Sequence, residues 1–308
     1  MSVVVEKLVI RYGTLVAVDD ISATFLPGTT GLLGVNGAGK SSLIKGLLGL
    51  VDIHSGSASI LGMDVKAEGK NIRQQIGYMP EDDSLIPGLS GLRLVQFAGE
   101  LAGMSRQDAM QRAHEILFWV GLEEARYRRV ETYSSGMKQR IKLAQAIVHD
   151  PKIVFLDEPT SGMDPKGRQE MLDLIQAVAQ SGKMSIVLAS HILTDVERIC
   201  DRVVMLHEGR VLEQGSMDDF RGQYARVYSI RVDGERQPFV EKLKKAGCEV
   251  NEDGSHLMDI TLPAGKDTTL FLKTADAADV QLRRMIPSVQ TLEDIFVKRI
   301  GEASSADL

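Results

Sequence analysis

Cysteine, tryptophan and aromatic residues are scarce in this chain of 308 residues. There are two cysteines, Cys200 and Cys248, and they form no CxxC pair. That argues against a disulfide framework or a structural zinc site, and it fits a reducing cytoplasm. Aromatics make up 5% of the residues, with a single tryptophan, so the core must be built from aliphatic side chains and methionine. No apolar run approaches the ~18 residues that would mark a membrane span. The opening MSVVVEKLVIRYG is too short and too charged for a signal peptide and reads as a strand. An excess of positive charge is also missing. The formal net charge is −6, which argues against a protein that coats nucleic acid. The composition, 44% hydrophobic and 25% charged, is that of a folded soluble protein, and the length suggests about two domains.

The first chemistry-bearing stretch is TTGLLGVNGAGKSSLIKGLLGL. A buried strand over 29–35 runs into a glycine loop and then into helical apolar spacing. That is the context required by the phosphate-binding pattern G-x-x-x-x-G-K-[ST], here Gly34, Gly39, Lys40 and Ser41. Gly37 and Gly39 let backbone N–H groups wrap phosphate oxygens, Lys40 reaches the β and γ phosphates, and the Ser41 hydroxyl serves Mg²⁺. The nucleotide contacts expected here are Asn36, Gly37, Ala38, Gly39, Lys40, Ser41 and Ser42.

KIVFLDEP is an apolar run that ends in two carboxylates, as suits a strand buried in a parallel sheet. Ligands of such sheets sit at the carboxyl ends of the strands, which brings Asp157 and Glu158 to the phosphates. Asp157 is expected to hold Mg²⁺, and Glu158 to orient and polarise an attacking water. MSIVLAS, 184–190, is a third apolar run, and His191 follows it as a hydrogen-bond donor or sensor near the γ-phosphate. YSSGMKQRIKLAQAIVHDP reads as a helix that starts at Ser134 and Ser135 and stops before Pro151. Its open N-terminus suits an anion.

These motifs, in this order, resemble the ATP-binding-cassette (ABC) ATPases over residues 1–220. GVNGAGKSS resembles that family's Walker A loop, and IVFLDEP its Walker B strand with the catalytic glutamate. YSSGM stands at its signature, SGMD resembles its D-loop ending at Asp164, and Ser190-His191 its switch histidine. Tyr12 matches the aromatic that stacks on adenine. The resemblance implies ATP and Mg²⁺ as cofactors, with Glu158 and His191 catalytic and Ser41, Asp157 and Glu81 at the metal. It implies that Ser134 and Gly136 cap ATP held by a second cassette, either a second copy or a paralogue. Two positions depart from the pattern. Ser135 and Met137 replace the usual Gly and Gln of the signature, and Glu81 stands where a glutamine is usual. The effect of that glutamate on the metal stays open. GYMPE and YSSGMKQR are similar to segments of bacterial export ATPases whose membrane subunit is a separate chain.

The expected fold is α/β: a P-loop core with a mostly parallel sheet, an antiparallel β subdomain and a helical subdomain over about 89–150. Met104, Met110 and Trp119 are read there as packing. A domain of 1–222 would be followed by 223–308, where βαββαβ over 225–288 predicts a small α+β ferredoxin-like domain with a regulatory or accessory role. PSVQTLEDIFVKRIGEA reads as a closing helix and SSADL as a frayed end. Leu85, Ile86 and Leu89 form either a docking surface for a membrane permease subunit or a local mini-core. The function implied is the ATPase subunit of an ABC exporter, peripheral on the cytoplasmic face of the inner membrane, with no nucleic-acid partner. The alternative is a soluble ABC ATPase of translation, repair or assembly. Against it stand the single cassette and the lack of a long coiled coil between Lys40 and Ser134.

Overall fold

The computed structural model describes residues 2–224, 227–252, 257–263, 265–287, 293, 295–297 and 299–301. The chain divides into two compact units, Met1–Gly215 and Ser216–Leu308. The first unit opens with the hairpin β1 (Val3–Tyr12) and β2 (Leu15–Phe25), turned at Gly13 with φ 61°. Then come β3 (Thr29–Leu33), α1 (Lys40–Leu47), β4 (Ser55–Ile60), β5 (Met63–Asp64), α2 (Gly69–Arg73) and β6 (Ile76–Met79). The helical segment follows as α3 (Gly91–Leu101), α4 (Arg106–Trp119), two single 3-10 turns and α5 (Ser135–Ile147). The remaining elements are β7 (Ile153–Asp157), α6 (Pro165–Gln180), β8 (Ser185–Ser190), α7 (Leu193–Ile199), β9 (Arg202–His207) and β10 (Arg210–Ser216).

Two sheets result. One has the order β2-β1-β4-β5 with antiparallel pairs, and the other β10-β9-β3-β8-β7-β6. Strands β9, β3, β8, β7 and β6 pair in parallel. Every residue of β3, β7 and β8 is buried, which explains why these strands read as unbroken apolar runs. Register levels their carboxyl ends: Leu33 lies opposite Ser190, and Asp157 opposite Ala189. A P-loop, two carboxylates and a histidine therefore leave adjacent strands at one edge. Leu43, Ile44 and Leu47 of α1 join the core that packs both sheets.

In the helical segment, Ser90 and Ser105 cap α3 and α4, their hydroxyls accepting from the N–H groups of Arg93 and Asp108. Ile116, Leu117 and Val120 take the inner face near the end of α4. Trp119, expected to pack inside, lies at the edge of that face and is 39% exposed. Met104 and Met110 are half-buried.

The second unit begins with α8 (Met217–Tyr224), which groups with this unit, so the boundary lies after Gly215 rather than after residue 222. It continues with β11 (Val227–Asp233), α9 (Arg236–Lys245), β12 (Glu249–Glu252), β13 (Met258–Thr261), α10 (Thr269–Ala277) and β14 (Gln281–Pro287). This is the βαββαβ order read from the sequence. The strands lie in the order β12-β13-β11-β14, and all pairs are antiparallel. Phe239, Val240 and Leu243 of α9 and Phe271 of α10 pack on Ile230, Val232, Met258 and Ile260. Of the expected closing helix, residues 293, 295–297 and 299–301 are helical, and Ile295 and Phe296 are buried. Its first residue, Pro287, ends β14 instead, and its other residues and SSADL lie outside the described residues.

Candidate active site

The loop between β3 and α1 has the shape that its glycines allow. A Cβ on Gly34 would lie 2.6 Å from the Leu206 carbonyl oxygen, and one on Gly39 would lie 2.4 Å from that of Ala17. Gly39, at φ 101°, is the N-cap of α1 and makes no side-chain cap bond, so the first N–H groups of the helix stay open. Gly37, at φ 83°, has open space around it. The loop residues Asn36, Gly37, Ala38, Gly39, Lys40, Ser41 and Ser42 line a cavity of about 600 Å³ together with Tyr12, Glu81 and Glu158. Leu15 and Val16, across the hairpin turn from Tyr12, extend an exposed apolar wall on the same cavity. A planar base would find stacking surface there and phosphates would find N–H groups.

Lys40 is buried and donates from Nζ to the carbonyl oxygens of Gly34, at 2.7 Å, and Val35, at 3.3 Å. It also stands 3.3 Å from Glu158 Oε1, at ion-pair distance but off the angle of a hydrogen bond. That oxygen is buried without a hydrogen-bond donor. Glu158 Oε2 meets His191 Nδ1 at 2.9 Å. The Glu158 backbone sits at φ 48°, an unfavourable value for a residue with a Cβ, and its N–H donates to the Ala189 carbonyl at 2.9 Å. Asp157 is 1% exposed, and its Oδ1 also has no hydrogen-bond partner. Burial pushes its carboxyl up to about 6; the bonded Ser41 hydroxyl pulls the other way, while Glu81 and Glu158 add to the rise.

A buried Asp157 oxygen without a donor, on a carboxylate bonded to the Ser41 hydroxyl, suits a hard cation. Among the described residues no three His, Cys, Asp or Glu side chains cluster as a ligand set. Such a cation would therefore depend on phosphate oxygens as well, as Mg²⁺ commonly does. On that test the residues present fit Mg²⁺ bound with a nucleotide.

The structure thus brings Tyr12, the P-loop residues, Glu81, Asp157, Glu158 and His191 together. It holds Ser134, Gly136 and Asp164 apart, around a separate cavity of about 390 Å³. Ser134 caps α5, its hydroxyl accepting from the Met137 N–H at 3.4 Å. Gln139, one turn on, donates to the Ser161 carbonyl at 2.9 Å and ties this helix to the segment after β7.

Three features escaped the sequence reading. Glu208 and Gly209 line the larger cavity, and the Gly209 N–H donates to Ala38 at 3.1 Å. The tight HEGR turn after an apolar strand was the signal available. Buried Asp195 accepts from Thr160 at 2.8 Å and from Arg168 at 2.6 Å, linking α7 to the residues after Glu158. Lys142, 1% exposed inside α5, donates to the carbonyls of Pro80 and Glu81 at 2.9 and 2.8 Å.

Comparison with known proteins agrees with this geometry. The family model for ABC transporters matches residues 18–161. The linearmycin resistance ATP-binding protein LnrL of Bacillus subtilis is 30% identical, over 96% of this chain and 97% of its own. The bacitracin transport ATP-binding protein BcrA of Bacillus licheniformis is 32% identical, over 94% of each. A solved ATP-binding subunit of an ABC transporter superposes with a TM-score of 0.64 at 30% identity, covering 73% of this chain and 93% of that one.

Proposed function

Since the chain belongs to the ABC transporter family and is one of its ATP-hydrolysing cassettes, we propose that it drives an exporter whose membrane permease is a separate chain. The observation that carries the catalytic part is the line Lys40–Glu158–His191, spaced 3.3 and 2.9 Å, at the cavity with the P-loop. Tyr12, Leu15 and Val16 receive the base, and the N–H groups of residues 36–42 and the Lys40 ammonium receive the phosphates. Lys40 exchanges its bonds to Gly34 and Val35 for phosphate oxygens. Glu158 accepts a proton from the attacking water, and His191 orients Glu158 and the γ-phosphate. Mg²⁺, held by Ser41 and Asp157 with Glu81 in reach, would neutralise phosphate charge.

Ser134, Gly136 and Asp164 serve a nucleotide bound to a second cassette. Export is supported by the resistance and transport functions in the names of two relatives. No helix among the described residues is long and apolar enough to cross a membrane, so the permease would supply the membrane path. The cassette would then be peripheral on the cytoplasmic face. Ile86, 42% exposed between half-buried Leu85 and Leu89, is the apolar point of the loop we assign to permease docking. We read the second unit as a ferredoxin-like accessory domain.

Glu158→Gln keeps the size and the strained backbone but removes the base. It should bind ATP like its parent and lose steady-state hydrolysis by about 10² or more. Hydrolysis within a few-fold of the parent would remove Glu158 from the reaction. Co-purification with a multi-span membrane chain from the native host separates the transporter reading from a soluble ATPase.

A further inference from the structure

Lys142 is among the largest side chains that the first unit buries almost completely, and it is a cation. Its neighbours on α5, Ile141, Leu143 and Ala144, are buried and apolar. A methionine would fill the same volume without desolvating an ammonium. The ammonium bonds three backbone carbonyls of one loop: Pro80 at 2.9 Å, Glu81 at 2.8 Å and Asp82 at 3.4 Å. An ammonium has three donors, and all three find acceptors there. Burial pulls the Lys142 ammonium below the ordinary lysine range, and Asp83, Asp82, Glu81 and Asp157 act against that pull.

Nearer its middle and end the loop is tied by Asp83 to Lys138 at 2.6 Å, by the Gly88 N–H to Glu131 at 2.6 Å, and by the Leu89 carbonyl, which accepts from the Val130 N–H at 3.0 Å. The bonds to Lys142 anchor its start, Pro80–Asp82, from a buried side chain. The residue anchored is the one whose side chain lines the nucleotide cavity, Glu81. The helix that anchors it begins two turns earlier with Ser134 and Gly136.

We propose that Lys142 is a positioning residue that fixes the Pro80–Asp82 backbone, and so the place of the Glu81 carboxylate in the nucleotide cavity, from the helix that begins with Ser134 and Gly136. This rests on the reading of Glu81 as a group within reach of the metal. A shift of α5 would carry Glu81 with it, so one helix would report at both cavities of the chain.

The test uses the full chain with Lys142→Met. In the nucleotide-free protein, amide hydrogen exchange over residues 79–84 should rise about tenfold or more, the loss expected when a charge-assisted anchor goes. The Gly34–Ser42 loop should exchange as before. In ATP hydrolysis, the Mg²⁺ concentration for half-maximal rate should shift about threefold or more, and the same substitution should add no shift in a Glu81→Ala background. Unchanged exchange at 79–84 overturns the proposal. So does a Mg²⁺ shift that persists in full without Glu81, because Lys142 would then act through general packing. If Glu81→Ala alone leaves the Mg²⁺ curve unmoved, the reading of Glu81 fails instead, and exchange still decides whether Lys142 anchors the loop. Should Lys142→Met not fold, Lys142→Leu, which also removes every donor, carries the same measurements.

Discussion

Asp157 is in conflict with its surroundings. Its carboxyl is buried and one oxygen has no donor, and its ionisation is pushed from 3.8 up to about 6, chiefly by that burial. The sign of the stability effect follows. Between those two values the folded protein keeps a proton that the unfolded chain has released, so stability falls as pH rises through this window. Below about 3.8 both states are protonated and the penalty vanishes; above about 6 it is complete. Asp157→Asn removes it. The nucleotide-free variant should be more stable than its parent by about 3 kcal/mol at pH 7.5 and gain little near pH 4. Urea unfolding of both proteins at the two pH values measures this. A gain of equal size at both would assign the effect to packing. The same substitution should weaken Mg-ATP binding, the usual opposition between stability and function at a site.

At the scale of elements, the loop between β3 and α1 depends on two glycines for different reasons. Gly39 combines φ 101° with a Cβ position 2.4 Å from a backbone oxygen that cannot move aside. Gly37, at φ 83°, meets nothing. Gly39→Ala should therefore cost more than about 2 kcal/mol and remove ATP binding, whereas Gly37→Ala should cost about 1 kcal/mol. Equal losses in urea unfolding would mean that the contact with Ala17 is relieved by movement of β2. Such elements were legible in the sequence because apolar runs end abruptly in glycine, carboxylate or histidine, and the buried parallel strands are those runs. The alternation in the tail likewise foretold βαββαβ. Lys142 was not legible. Its partners are backbone carbonyls some sixty positions away, and every residue carries a carbonyl, so no residue type marks them. Trp119 was misread because helical spacing gives a face only when the phase is right, and Ile116, Leu117 and Val120 set a phase that leaves it at the edge. The Thr160–Asp195–Arg168 link needed the three-dimensional neighbourhood of α6 and α7.

On the scale of the whole molecule, the two halves of the proposed catalytic apparatus do not meet within one chain. The cavity with Lys40 and Glu158 and the cavity with Ser134, Gly136 and Asp164 share no lining residue. A second cassette placed head to tail would bring each half against the other's complement. The γ-phosphate would then meet the Ser134 hydroxyl and the open N–H groups near Gly136, favoured by the start of α5. Gly136→Asp tests this without breaking the fold. Gly136 is not at positive φ, and a Cβ there makes an ordinary 3.5 Å contact with Met163. The added carboxylate would face a polyphosphate only in the dimer. In a Glu158→Gln background, where the closed state should accumulate, the substitution should abolish ATP-dependent dimerisation. It should leave ATP affinity of the monomer within about twofold, because Gly136 lines the other cavity and the P-loop stays intact. Sedimentation with Mg-ATP reads both species. Dimerisation equal to that of the parent would show that α5 does not cap a partner's nucleotide, and outright loss of monomer affinity would assign the helix to its own chain's pocket.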